Sequence, residues 1–208
     1  MDADKKGGDA QRILHFDVYR TIVLGHYIKF WGMPDYRTVI RKREGQNYFE
    51  IFSFPTTISG EPHRFATVGV AEQRKPDGEN EGNEYFMALP SGLGGASVDE
   101  ILEYITDLST HLVVKMNRSL PPRVLGPSKL APVAWGPKAL LIDEARGESD
   151  DFQNVKVNDT LEVEILWMIP IHENEYRFIL KEGIDAFDEL DQRSDQSIAD
   201  VNRSGIVP

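Results

Sequence analysis

The sequence predicts an α+β fold, sandwich-like and in a single domain, in which a mixed and largely antiparallel sheet is covered by helices. Three observations predict it. Short runs rich in β-branched and aromatic residues recur along the chain. Amphipathic segments of helical period stand before, between and after them. No shift in composition marks a boundary within the 208 residues. The order helix, strands, helix, strands, helix suits helices packed on the faces of one sheet. Residues 1–10 are expected to be a flexible N-terminus, 11–190 the domain, and 191–208 a polar, frayed tail.

The first helix is predicted over 11–30, where Ile13, Leu14, Tyr19, Ile22, Val23 and Tyr27 fall at helical spacing behind Asp9 as a cap. Gly32 and Pro34 end it. TVIRKR and NYFEIFSF then read as two strands around EGQ, and RFATVGVA as a third. EQRKPDGENEGN is polar and rich in glycine and acid, so it is a surface loop. EYFMALP follows as a fourth strand.

A long helix is predicted over 98–117. Val98, Ile101, Leu102, Ile105, Leu108, Leu112 and Met116 form one apolar stripe, and Ser97 with Glu100 makes a capping box. LPPRVLGPSKLAPVAWGP, with five prolines and two glycines, is too broken for regular structure and too apolar for a solvated linker. It is expected as an extended loop against the core. KALLID gives a short strand and TLEVEILWMIPI the longest, its face built from Leu161, Val163, Ile165 and Trp167 and its end set by Pro170. A last helix over 173–190 carries Tyr176, Ile179, Leu180, Gly183, Ile184 and Phe187, with Gly183 read as a close approach to the sheet.

Composition narrows the function. With no cysteine, disulfides, thiolate metal sites and cysteine nucleophiles are excluded. The N-terminus lacks the apolar stretch of a signal peptide and no eighteen consecutive apolar residues occur, so the chain is expected to be cytoplasmic, with no membrane partner. A net charge of −11 opposes direct nucleic-acid binding and favours encounter with a basic protein.

No motif supports catalysis. SGLGGAS stands between a strand and a helix as phosphate-binding turns do, but it lacks the lysine and hydroxyl of a Walker loop and the βαβ unit of a dinucleotide fingerprint. It reads first as a tight turn leading to Ser97. Of His15, His26, His63, His111 and His172, no two share metal-ligand spacing on a helix, so no metal or cofactor is expected. A triad with Ser91 or Ser97 has no Gly-x-Ser-x-Gly elbow behind it. His172 precedes an acidic first turn, Glu173 to Glu175, and reads as a helix cap. Trp31 and Trp167 read as core, and Trp135, in the proline-rich loop, as partly exposed.

EIFSFPTT near 50, RFATVGVAEQ near 65, EYFMALP near 85, the run ending in WGPKALLI and the final ILWMIPIHENEYRFILKEGIDAF together resemble the suppressor of fused family in its compact bacterial form. They come in the family's order and cover most of 38–190. His172 departs from the family's Thr or Ser at that cap. The animal members' second domain, which helps clasp a transcription-factor peptide, is not expected here. The resemblance implies a non-enzymatic binding protein, and many bacterial relatives look like immunity proteins that occlude a toxin.

The leading expectation is thus a cytoplasmic protein-binding module, an immunity protein masking a toxin. Its contacts are expected on Asp143, Glu144, Glu148, Asp150 and Asp151, with Trp135 as aromatic anchor. One alternative is a regulatory adaptor that captures an extended peptide along a sheet edge. Another is a nucleotide or small-molecule enzyme using the turn at Gly92, Gly94 and Gly95.

Overall fold

Among the described residues eight strands make one sheet in the order β1-β2-β3-β4-β8-β6-β5, with β7 pairing the start of β8. They are β1 (Tyr36–Ile40), β2 (Phe49–Phe54), β3 (His63–Val68), β4 (Asn83–Leu89), β5 (Arg123–Leu125), β6 (Ala139–Asp143), β7 (Asn154–Lys156) and β8 (Glu162–Ile171). The helices are α1 (Ala3–Trp31), α2 (Val98–Lys115), α3 (Glu173–Glu182) and α4 (Ile184–Gln192). The computed structural model describes residues 3–40, 48–56, 58–115 and 123–207. The expected turn at EGQ, the end of TVIRKR and the last turn of the 98–117 helix lie outside the described residues.

Strands β1 to β4 form an antiparallel meander, and β4 then pairs in parallel with β8, Asn83 opposite Glu164 and Phe86 opposite Trp167. The chain returns to β4 only after it has made α2, β5, β6 and β7, which is the crossover a parallel pair requires. The sheet is therefore mixed and mostly antiparallel, and the fold is α+β.

Side chains alternate across the sheet, and each face has its own core. Phe52, Phe54, Phe86, Ile165, Trp167 and Ile169 pack beneath Tyr19, Val23 and Tyr27 of α1, Ile179 of α3 and Phe187 of α4. On the other face Ile51, Phe65, Tyr85, Met87, Leu166 and Met168 meet Ile101, Ile105, Leu108 and Leu112 of α2. β4 is buried along its whole length, as strands covered on both faces are, and after Asn83 and Glu84 it runs apolar or aromatic to Leu89.

Glu84 lies within this apolar wall. Its carboxylate accepts from Tyr19 Oη at 2.7 Å, Thr67 Oγ1 at 2.6 Å and the backbone N–H groups of Gly69, Val70 and Ala71. Burial raises its pKa above the usual carboxylate range, while the hydroxyl and N–H donors pull it back. The arrangement fastens α1 to β3, β4 and the turn after β3.

Several expectations are corrected. α1 begins at Ala3, so Asp9 stands within it and not at its start. The proline-rich loop contains β5, and β7 was not foreseen. Pro170 does not stop β8 but pairs with Leu140 inside it. Beyond Trp167 β8 pairs, among the described residues, with β6 alone, so a residue without an N–H is tolerated there.

The predicted helix over 173–190 is two helices. Gly183 has φ 91° and ψ 169°, a conformation essentially closed to other residues, and the chain bends there. A β-carbon on Gly183 would meet nothing within 4 Å, so its backbone and not close packing calls for glycine.

The tail expected to fray lies against the body instead. Ile198 joins the α1 face and Val201 the α2 face, so the segment wraps from one core to the other. Arg203 is 5% exposed and grips the fully buried Glu175 of α3. Buried anchors spaced along a polar stretch outweigh its lack of periodicity.

Candidate interaction surface

Between β6 and β7 the chain runs as a loop across the α1 face, and internal contacts hold it. Phe152 is fully buried, its ring 4.7 Å from that of Trp31 and 5.5 Å from that of Phe86. Its carbonyl accepts a hydrogen bond from His26 at 2.8 Å. Arg146 reaches Asp143 at the end of β6 and Asp188 and Asp191 on α4. Burial pushes the Arg146 guanidinium pKa down, but its hydrogen bonds and charge contacts with Asp188 and Asp143 prevail and raise it.

Glu148 closes the other side. It accepts from Arg64 Nε at 2.7 Å and from Trp31 Nε1 at 3.1 Å, while the Arg64 guanidinium lies 5.4 Å from the Trp31 ring centre. The five acids expected to face a partner thus divide. Glu148, with its side chain 13% exposed, and Asp143, engaged by Arg146, serve the scaffold. Glu144, Asp150 and Asp151 face solvent, and no cation among the described residues pairs with them.

Trp135 corrects the expectation of an exposed anchor. It is 2% exposed, donates from Nε1 to the Leu93 carbonyl at 2.9 Å and meets Tyr104 of α2 edge-on. The loop is pinned by that indole, while Leu130 and Val133 point outward.

The turn at Gly92, Gly94 and Gly95 is a packing element. Residues Leu93–Gly95 make one 3-10 turn, and a β-carbon on Gly94, whose φ is 61°, would come within 2.1 Å of Val201 and 2.9 Å of Trp135. Its inner side is filled by the tail and the indole. Ser97 receives Glu100 as the capping box requires.

The histidines are dispersed. His15 contacts Glu72, His26 the Phe152 carbonyl, His63 the Ser53 hydroxyl and His172 the Arg203 carbonyl. No cluster of three potential metal ligands exists among the described residues. His172 is the N-cap of α3, its N–H donating to Glu175 at 2.7 Å.

One pair was missed. Ser53 Oγ and His63 Nε2 are 2.8 Å apart, a contact of the kind that activates a nucleophile, and the charge of Asp35 acts on the ring. Desolvation lowers the His63 pKa, and Ser53 is 1% exposed on a covered strand, so its hydroxyl offers no open approach to a substrate. Their ten-residue separation across a hairpin was the sequence signal, visible only once β2 and β3 are in register.

No helix among the described residues is long and apolar enough to cross a membrane. No curated protein sequence matches the chain. Among solved structures, a protein described as a suppressor of fused homologue from Neisseria gonorrhoeae FA 1090 superimposes with a TM-score of 0.72 at 18% identity, covering 91% of this chain and 97% of that one. A chain of the Sufu-Fu complex superimposes with a TM-score of 0.57 at 9% identity, covering 90% of this chain and 91% of that one. These likenesses carry the fold. The suppressor of fused protein (SUFU) family model matches residues 45–204, from the start of β2 into the tail. That span takes in the sheet from β2 onward, the helices α2 to α4 and most of the tail, and the chain belongs to the suppressor of fused family.

Proposed function

We propose that this chain is a non-enzymatic protein-binding module that masks a basic protein, acting as the immunity protein of a toxin in the cytoplasm of the producing cell. The observation that carries the reading is the loop between β6 and β7. Glu144, Asp150 and Asp151 stand free on a segment immobilised by Phe152, Arg146 and Glu148, so a partner meets negative charge already in place. The net charge of −11 adds long-range attraction for such a partner. A structural relative of the same fold, though only 9% identical, stands in a complex named for two proteins, Sufu and Fu.

Two tests separate the parts of this reading. Co-purification from the native host followed by stopped-flow mixing measures association, and the triple variant Glu144→Lys, Asp150→Lys, Asp151→Lys is expected to slow it and weaken its salt dependence. An unchanged rate removes the loop from the interface. Expressing the partner with and without this chain tests immunity, since growth must fail without the chain and recover with it.

A second reading is favoured by β1, which among the described residues lies at the edge of the sheet beside β2. Such an edge accepts an added strand, as in capture of an extended regulatory peptide. Slowed amide exchange confined to β1 upon partner binding would mark this mode.

A further inference from the structure

Strands β4 and β8 are adjacent and parallel, yet the helices that follow them part. α2, after β4, packs with Tyr85, Met87 and Met168 on one face of the sheet, whereas α3, after β8, packs with Phe86, Trp167 and Ile169 on the other. Where neighbouring parallel strands send their helices to opposite faces, a crevice opens beyond their carboxyl ends, and in open sheets it is where ligands bind. Among the described residues the ladder between the two ends at Phe86 and Trp167, short of the strand ends at Leu89 and Ile171.

The tail occupies this place. On the β4 side Val201 packs where a β-carbon on Gly94 would stand, against the Trp135 indole, and Gly136 next to it lies against the His172 ring. On the β8 side His172 Nε2 donates to the Arg203 carbonyl at 3.0 Å, and Asn174 Nδ2 donates to the Val207 carbonyl at 2.7 Å. Glu175 accepts from the Ile206 N–H at 2.9 Å and takes the Arg203 guanidinium as a fork. Main-chain groups bound by side chains, one pocketed aliphatic residue and one paired arginine are how a peptide ligand is held.

Secondary structure does not tie the tail in. Among the described residues none after Gln192 lies in a helix or strand, and residues 195–197 are exposed. The sheet is complete without it. The fit is also imperfect, because Arg203 is 5% exposed and its Nε finds no acceptor among the described residues.

We propose that the crevice beyond β4 and β8 is a peptide-binding site, that its ligand is a partner segment with an aliphatic side chain two positions before an arginine, and that the tail is a resident copy which this segment displaces. A neutral or acidic side chain leaves the buried Glu175 unpaired, and a lysine cannot make the fork. The inference rests on the reading of the chain as a module for a basic protein, and adds a second contact whose chemistry is defined.

The test uses the full chain and a synthetic peptide with the sequence of residues 197–207. The attached tail competes at an effective concentration on the order of millimolar, so the peptide is added in that range to isotope-labelled wild-type chain. The amide resonances of Val201 to Ile206 are expected to move to unstructured positions as peptide replaces tail. A fluorescent form of the peptide is expected to bind the chain variants Arg203→Lys and Val201→Ser about tenfold more tightly than wild type, because their own tails hold less well. The change Arg203→Ala within the peptide is expected to weaken its binding about tenfold or more. Tail resonances unmoved by millimolar peptide, or binding indifferent to the peptide's arginine, overturn the proposal, and the wild-type titration decides even where a chain variant fails to fold. The lysine-reversed loop variant separates this site from the proposed function. If it slows association with the host partner while the peptide leaves the tail in place, the proposed function stands and this site falls. If the peptide displaces the tail and the loop variant associates unchanged, the site stands and the loop leaves the interface.

Discussion

Arg203 and Glu175 face each other as a buried fork, Nη1 to Oε1 at 2.5 Å and Nη2 to Oε2 at 2.8 Å, with side chains 1% and 0% exposed. Glu175 also accepts from the N–H of Ile206 at 2.9 Å and of His172 at 2.7 Å. Burial alone raises the Glu175 pKa, but Arg203 and these N–H groups together hold it below the ordinary range. One carboxylate thus joins the cap of α3 to the tail.

Removing one partner strands the other charge in the core. Arg203→Met or Glu175→Gln is expected to destabilise the chain by about 3–5 kcal/mol. The double variant Glu175→Met, Arg203→Met is expected to recover much of that loss, as measured by urea unfolding. A double variant as unstable as the worse single one would show that the pair is not acting as a unit.

Glu50 predicts an opposite pH response. It is 2% exposed, its Oε2 has no hydrogen-bond partner among the described residues, and Arg20 and Arg37 lie 3.6 and 3.5 Å from its Oε1. Burial raises its pKa from the ordinary 4.5, with Arg37 and Arg20 opposing. A carboxyl whose folded pKa exceeds its unfolded one favours folding while protonated, and that contribution is lost as pH rises from about 4.5 through the folded value. Glu50→Gln is therefore expected to raise the unfolding midpoint at pH 7 and to lose that advantage below pH 4.5. An equal difference from wild type at both pH values refutes the assignment.

Two glycines should fail for different reasons. Gly183→Ala meets no atom but forces an alanine into φ 91°, and is expected to cost about 1–3 kcal/mol with the tail in place. Gly94→Ala adds a collision with Val201 and Trp135 to a strained φ, and is expected to release the tail. Limited proteolysis distinguishes them, with early cleavage after residue 193 in the second variant alone.

Glu148→Ala leaves Arg64 and the Trp31 indole N–H without their shared acceptor. A loss of about 1–3 kcal/mol is expected, because a part-buried donor is left unpaired. Tryptophan emission should shift to the red, since Trp31 is the half-buried one of the three indoles while Trp135 and Trp167 are 2% and 6% exposed.

Much of the sheet was legible because its strands carry their own pattern. β2, β3, β4, β6 and β8 announce themselves by β-branched and aromatic runs, and α2 by its stripe and capping box. What escaped depends on distant partners. β5 and β7 have three residues each and exist only because β6 and β8 lie beside them. Trp135 looked exposed because prolines surround it, yet Leu93, 42 residues away, supplies its acceptor. The acidic loop was placed rightly on the surface at Glu144, Asp150 and Asp151 and wrongly at Asp143, which ends β6 and is held by Arg146, and at Glu148, whose partner Arg64 sits on another strand. Gly183 was noticed for the right reason, an unfavourable residue in a helical pattern, but its φ is not written in the letters around it.

The parallel seam of β4 and β8 bears on how the chain is made. As it leaves the ribosome, β1 to β4 can zip up unaided, and α2 can cover one side of them. The flank of β4 then has no mate until Glu162–Ile171 emerges. For that interval a strand whose residues from Tyr85 to Leu89 are apolar or aromatic lies open along one edge, ready to recruit a neighbouring nascent copy. Quality control during synthesis should therefore depend less on overall stability than on how soon β8 arrives, and pausing codons between α2 and β8 would be the most costly place for delay.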